Sequence, residues 1–184
     1  DAKNMVLPGM DGMCEDRLER LDRLIHKIKN KKRKGKDNKS FLLHHKLRTL
    51  TSVFPSTTTS AITTFNTGLA PQEHGLIAWW MYLKEFKDEV CILRFKSKKE
   101  QKLAPKKFNF PESIFTRFNS RDKLLSYTIL RKSYFSSPYN AALSQKIQKV
   151  GIYNFNGLCR NIQKIVSQKE ESTKKKYIYA YCGE

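Results

Sequence analysis

The chain has 184 residues, enough to bury the core of one domain, and its 39% apolar content and mean hydropathy of −0.61 predict a soluble protein. No apolar run reaches the ~18–20 residues that span a bilayer, and the polar first residues carry no secretory signal. The four cysteines are scattered and form no C-x-x-C, which favours free thiols in a reducing, cytoplasmic compartment. The formal net charge of +19 points to an anionic partner, but the excess is mostly lysine spread over several loops, which is more typical of a solvated surface than of focused nucleic-acid recognition.

The first predicted elements are a strand and a helix. Residues 4–13, NMVLPGMDGM, predict an apolar strand that Pro8-Gly9 weakens and that ends at Asp11-Gly12. By itself Asp11 fits an ordinary turn. Residues 15–29 carry Leu and Ile at helical spacing, and a basic loop follows at about 27–40; we interpret it as solvated, with a nuclear address or an anion-binding arm as alternatives. His44 and His45 are adjacent and therefore diverge too far to share one metal ion.

The most informative stretch is residues 51–86. A short extended run from Leu50 to Phe54 precedes Pro55, and the hydroxyl-rich residues 56–60 are typical of a helix N-terminus. The predicted helix continues through residues 61–65 and ends before Gly68. Backbone N–H groups and the positive end of the helix dipole would converge at this corner, so it is either a phosphate site or simply a capped helix.

Further along the chain, Trp79, Trp80 and Tyr82 are predicted either to stack on a nucleobase or to belong to the core. Residues 89–95 predict a buried strand and 96–107 an exposed loop. The remaining predicted elements are a short helix from Pro111, a strand at 123–130, helices at 141–149 and 156–168, and a strand at 177–181. Alternating strands and helices predict an α/β fold, a three-layer α/β/α arrangement around a mainly parallel, doubly wound sheet.

The string FPSTTTSAITTFNTGLAPQEHG, residues 54–75, resembles the nucleophile segment of the alkaline phosphatase superfamily, closest to its type I phosphodiesterase/nucleotide pyrophosphatase family. There a hydroxyl nucleophile lies a fixed distance before a Thr-Gly pair, and a Pro-x-x-His-Gly element follows. Thr67-Gly68 therefore assigns the nucleophile to Thr58, and His74 would be structural rather than a ligand. Many members have Asn three residues after the nucleophile to hold a phosphate oxygen; here that residue is Ala61, so backbone N–H groups and metal ions would carry more of the phosphate binding.

The same resemblance implies a metal centre. The site would hold two divalent ions, zinc in most relatives. Asp11 and Thr58 would share one of them, and most other ligands are expected downstream of Glu184. Residues 1–184 would then be the N-terminal portion of a single alkaline-phosphatase-like catalytic domain, with a sheet incomplete at its C-terminus. We expect such a portion alone to bind metal weakly and to be inactive.

The function implied is a metal-dependent hydrolase that cleaves phosphodiester or nucleotide pyrophosphate bonds of small-molecule substrates through a phospho-threonine intermediate. Two alternatives stay open. The chain could be a non-catalytic remnant that keeps only the anion-binding corner, or a basic nucleic-acid-binding protein that shares the fold. Salt-sensitive binding to DNA or RNA that is indifferent to Thr58 would favour the last.

Overall fold

A computed structural model describes residues 4–10, 19, 20, 23, 44, 48–99, 103–119, 124–145, 147–168 and 174–183. The chain divides into two compact units, one made of Asp1–Asp11 and Ser52–Glu184 and the other of Gly12–Thr51. In the second unit, Glu19, Arg20, Arg23 and His44 are helical, and Arg23 forms an exposed ion pair with Glu19 at 3.9 Å. The predicted basic loop at 27–40 lies outside the described residues, and the assignment to one catalytic domain stays a prediction.

The first unit contains a parallel sheet, as predicted. Its four strands are β1, β5, β6 and β7, and they lie in the order β1-β7-β5-β6 with every neighbouring pair parallel. Their bounds are Asn4–Met10, Leu124–Arg131, Gln148–Ile152 and Lys175–Cys182. The carboxyl ends of all four strands therefore lie along one edge of the sheet.

Strand β1 forms in spite of Pro8 because it lies at the end of the described sheet. An edge position has one unpaired side, where the N–H that proline lacks is not needed. On its other side β1 pairs with β7 along its whole length, from Asn4 opposite Lys176 to Met10 opposite Cys182.

Helices cover both faces of this sheet, so the three-layer, doubly wound prediction is confirmed. Successive side chains of a strand point to opposite faces. On one face Ile129 and Ile178 pack with Leu158 and Ile165 of the helix Phe155–Ser167. On the other face Leu130 and the tyrosines of β7 pack with Phe115 of the helix Ile114–Asn119. The helices, numbered from the first with described bounds, are α1 Thr58–Thr67, α2 Pro71–His74, α3 Ile114–Asn119, α4 Pro138–Leu143 and α5 Phe155–Ser167.

A second, antiparallel sheet corrects the prediction for residues 89–95. It has three strands in the order β2-β3-β4, with bounds Trp80–Leu83, Asp88–Cys91 and Lys96–Ser97. The chain leaves β3 at Cys91 and turns, with Phe95 in the left-handed region (φ 52°), while Ile92 and Phe95 stay buried in the apolar cluster. The apolar run therefore reflects a buried turn, and residues 96–97 form a strand instead of starting an exposed loop.

Other boundaries also differ from the predictions. Leu50–Phe54 belongs to no strand: Leu50 is 77% and Phe54 90% exposed, and Pro55 cannot donate to a ladder. The helix predicted at 141–149 ends at Leu143, and strand β6 occupies residues 148–152. The helix predicted from Pro111 begins three residues later, at Ile114. Among the described residues, no helix has the length and apolar character to cross a membrane.

Candidate active site

Helix α1 begins as the sequence predicts. Thr57 is its N-cap, with extended backbone (φ −88°, ψ 153°), and its hydroxyl accepts a hydrogen bond from the Ser60 N–H at 3.2 Å. The same hydroxyl donates to the carbonyl of Ile77 at 2.7 Å. The single hydroxyl proton of Thr57 is thus already bonded. The helix ends at Gly68, whose left-handed backbone (φ 70°) lets its N–H bond the Thr64 carbonyl.

Thr58 is the first residue of α1 and is half-buried. It lies in the first helical turn, where backbone N–H groups have no intrahelical partner and the dipole is positive. This turn contains no acidic residue that would neutralise the dipole. A negatively charged oxygen near Thr58 would therefore be stabilised.

The other predicted site residue, Asp11, lies outside the described residues. In the sequence it follows Met10, the last residue of β1. The pairing of Asp11 with Thr58 stays a prediction. Burial raises the pKa of Tyr179 on β7, the strand paired with β1, and the nearby Asn66 side chain of α1 opposes this rise.

The buried face of α1 is polar, which the sequence reasoning missed. Its threonines recur every fourth residue, Asn66 follows Thr63 by three residues, and all four are at most 6% exposed: Thr59, Thr63, Asn66 and Thr67. Thr63 donates to the Thr59 carbonyl at 2.7 Å and Thr67 donates to the Thr63 carbonyl at 2.7 Å. The threonines at positions i, i+4 and i+8 were visible in the sequence. The same pattern occurs on solvent-exposed polar helix faces, so it did not show that this face is buried.

The partner of this face is the phenol of Tyr139 on α4, which lies 2.8 Å from the Thr63 hydroxyl. Because the only hydroxyl proton of Thr63 is donated within the helix, Tyr139 must be the donor in this bond. Burial raises the pKa of Tyr139, so the phenol keeps its proton. Directional hydrogen bonds thus fix how α1 is seated.

Two further hydroxyls of the first turn are buried. The side-chain oxygens of Thr59 and Ser60 have no hydrogen-bond partner within the described part of the chain, and both residues are fully buried. Buried hydroxyls are normally bonded. We therefore expect the hydroxyls of Thr59 and Ser60 to form hydrogen bonds with water, a bound ligand or residues outside the described set.

His74 has a structural position, in agreement with the resemblance. It is 8% exposed, its Nδ1 accepts from the Leu76 N–H at 3.0 Å, and its Nε2 lies 3.2 Å from the Thr64 hydroxyl. An accepting Nδ1 requires a neutral ring, and burial lowers the pKa of His74 in the same direction. His74 therefore ties the loop after α2 to helix α1.

The aromatic segment after this loop is exposed, so the prediction that it belongs to the core is wrong. Trp79 is 40%, Trp80 47% and Tyr82 65% exposed. The segment is linked to the start of α1 by the bond from Thr57 to Ile77.

The described residues supply few of the ligands that a metal centre needs. Within the described residues, no three His, Cys, Asp or Glu side chains lie together as a metal centre would require. Of the two predicted ligands only Thr58 is described. The described residues therefore do not by themselves fit a metal ion.

Taken together, a parallel sheet with helices on both faces and a helix N-terminus rich in hydroxyl groups define an α/β protein with a candidate anion-binding site. Residues 9–102, more than half of the chain, match the family model described as Type I phosphodiesterase / nucleotide pyrophosphatase. The chain belongs to this family, whose members are hydrolases and generally metal-dependent. Neither a search of curated proteins nor one of solved structures returned a match.

Proposed function

We propose that this chain contributes the nucleophile of a metal-dependent hydrolase that cleaves phosphodiester or nucleotide pyrophosphate bonds, with Thr58 as the attacking residue. The main observation in support of the proposal is that Thr58 is the first residue of α1. The hydroxyl of the N-cap residue before it, Thr57, is already hydrogen-bonded to the Ile77 carbonyl and the Ser60 N–H. Thr57 is the next candidate, since Thr59 and Ser60, the hydroxyl residues that follow Thr58, are fully buried.

The proposed reaction begins at the Thr58 hydroxyl. The Thr58 oxygen attacks phosphorus in line with the leaving oxygen; the new P–O bond forms as the bond to the leaving group breaks, and the hydroxyl proton passes to a base or to solvent. The first-turn N–H groups stabilise the charge on the phosphoryl oxygens. Water then hydrolyses the phospho-threonine and restores the hydroxyl.

Two divalent ions, zinc by analogy with the family, would neutralise phosphoryl charge, with Asp11 and Thr58 as ligands and further ligands beyond the described residues. The substrate class we propose is a small phosphodiester or a nucleotide.

The test is turnover of a chromogenic phosphodiester by the full-length protein with added divalent metal. We expect Thr58→Ala to lower kcat on the order of a thousandfold or more, since it removes the nucleophile, and Thr58→Ser to keep part of the activity. Mass spectrometry of the acid-quenched wild type should find phosphate on the peptide that contains Thr58.

Thr57→Ser is the matched control, because a serine hydroxyl can make both hydrogen bonds of the N-cap. It should retain near-normal turnover. Unchanged turnover in Thr58→Ala would place the nucleophile elsewhere, with Thr57 next in line. A well-folded full-length protein that is inactive with every metal would support a non-catalytic remnant instead.

A further inference from the structure

The small antiparallel sheet has one face whose composition the hydrolase reaction does not explain. Strand register places Trp80 opposite Cys91 and Cys91 opposite Lys96. Tyr82 lies opposite Glu89, and the Lys98 N–H bonds the Glu89 carbonyl at 2.8 Å. Residues opposite each other share a face, so two rows run across the sheet. We call this side the aromatic face; its rows are Trp80-Cys91-Lys96 and Tyr82-Glu89-Lys98.

The two rings of the aromatic face are exposed although rings of this size are normally buried. Trp80 is 47% and Tyr82 65% exposed, whereas Leu83 and Val90 on the opposite side of the same sheet are 6% and 0% exposed. The other side of the sheet therefore contributes Leu83 and Val90 to the core, whereas on the aromatic face only Cys91, between Trp80 and Lys96, is buried, at 2% exposure. Trp80 and Tyr82 are two residues apart on one strand, so their Cα atoms lie about 7 Å apart and each ring can contact a flat group of its own.

Charge is arranged beside the rings. Lys96 is exposed on β4 and Lys98 is exposed just after it; β4 lies two strand spacings, about 10 Å, from β2, which carries the rings. Glu89 accepts a hydrogen bond from the Lys98 ammonium at 2.6 Å, which leaves Lys96 as the uncompensated charge within the two rows. Exposed basic residues also surround the sheet: Lys84, Lys87, Arg94 and Lys99.

From these observations we propose that the aromatic face binds single-stranded nucleic acid, with bases stacked on Trp80 and Tyr82 and the phosphate backbone along Lys96 and Lys98. Exposed rings on a sheet with cations at the margin are the physical elements of a stacking platform, since every base has a flat face and every linkage a negative charge. An acidic peptide would use the lysines but not the paired rings. The proposal does not depend on Thr58 or on hydrolysis.

The experiment is fluorescence anisotropy of a labelled oligothymidine of about 12 nucleotides, a length within the site size of small single-strand-binding folds. The 184-residue chain is used with a chelator present so that no hydrolysis intervenes. We expect Trp80→Ala and Tyr82→Ala each to weaken binding roughly 5- to 150-fold, the loss of one stacked base. Trp80→Phe should restore most of the affinity, because a ring remains. Lys96→Ala should lower the slope of log affinity against log salt by about 0.7.

Matched controls lie on a different part of the first unit. Tyr153 is 76% exposed and Lys164 is exposed on α5, so Tyr153→Ala and Lys164→Ala should leave affinity within about twofold. A duplex of the same length should bind more weakly, since its bases are already stacked, and polyglutamate should compete poorly. Equal binding of duplex and single strand, ready displacement by polyglutamate, or unchanged affinity in both ring variants that are folded by circular dichroism would overturn the proposal.

Discussion

Removing the Tyr139 hydroxyl should test whether hydrogen bonds seat helix α1. Tyr139→Phe keeps the ring in its fully buried place but removes the donor to the Thr63 hydroxyl, 2.8 Å away. Thr63 can still donate to the Thr59 carbonyl, so the helix itself keeps its internal bonds.

The expected cost follows from this count. One buried hydrogen bond is lost and the polar groups it served stay buried, which costs about 1–3 kcal/mol in the free energy of unfolding. For a chain of this size the melting temperature should fall by about 2–12 °C. Urea denaturation followed by circular dichroism measures the change directly, and Tyr153→Phe, at an exposed tyrosine, should stay within about 0.5 kcal/mol.

A double-mutant cycle with Thr63→Val separates the bond from general packing. If the two hydroxyls act as a pair, the combined variant should lose less stability than the sum of the single changes, with a coupling of about 1 kcal/mol. Additive losses, or a Tyr139→Phe variant as stable as the wild type, would refute the view that this bond seats the helix.

Two other predictions concern His74 and Lys176. Burial lowers the folded-state pKa of His74, so the unfolded chain binds its proton first as pH falls; the stability contributed by neutral His74 is present above its ordinary value of about 6.5 and is lost below it. Between about pH 7 and pH 5 the unfolding free energy of the wild type should therefore drop more steeply than that of His74→Asn, which retains an acceptor for the Leu76 N–H but cannot be protonated; parallel curves would contradict this. Lys176 on β7 is 4% exposed, and its ammonium donates to the carbonyls of Ile165 at 2.6 Å and Gln168 at 3.0 Å. Lys176→Met should therefore lower the free energy of unfolding, measured by urea denaturation, by about 1–3 kcal/mol, and Lys174→Met at an exposed lysine by less than about 0.5 kcal/mol. Equal losses of stability would show that the C-terminus of α5 does not need this cation.

Local signals in the sequence were sufficient for the elements whose causes are local. The N-cap hydroxyls and Gly68 located helix α1, and the apolar periodicity of residues 156–168 located α5, which the structure confirms within one residue at each end. The apolar run at residues 177–181 predicted β7, an inner strand of the parallel sheet, because a strand buried on both faces is apolar throughout.

Other features depended on partners far away in the chain. The run at 89–95 is as apolar as a buried strand, yet it divides into a strand and a buried turn. Strand β6 was missed because only one of its residues, Ile152, is buried, so its pattern is weak. Tyr139 could not be connected to Thr63 without the structure, since 76 positions separate them.

The pairing of the first strand with the last has a consequence for synthesis on the ribosome. Asn4 lies opposite Lys176, so β1 leaves the exit tunnel long before β7 exists to receive it. Strands β5 and β6 can pair with each other earlier, but β1 must wait for its partner until β7, residues 175–182, has been made. Residues 4–10 should accordingly be the part of the parallel sheet that holdase chaperones bind during translation, and a stalled ribosome should leave them the most sensitive to protease.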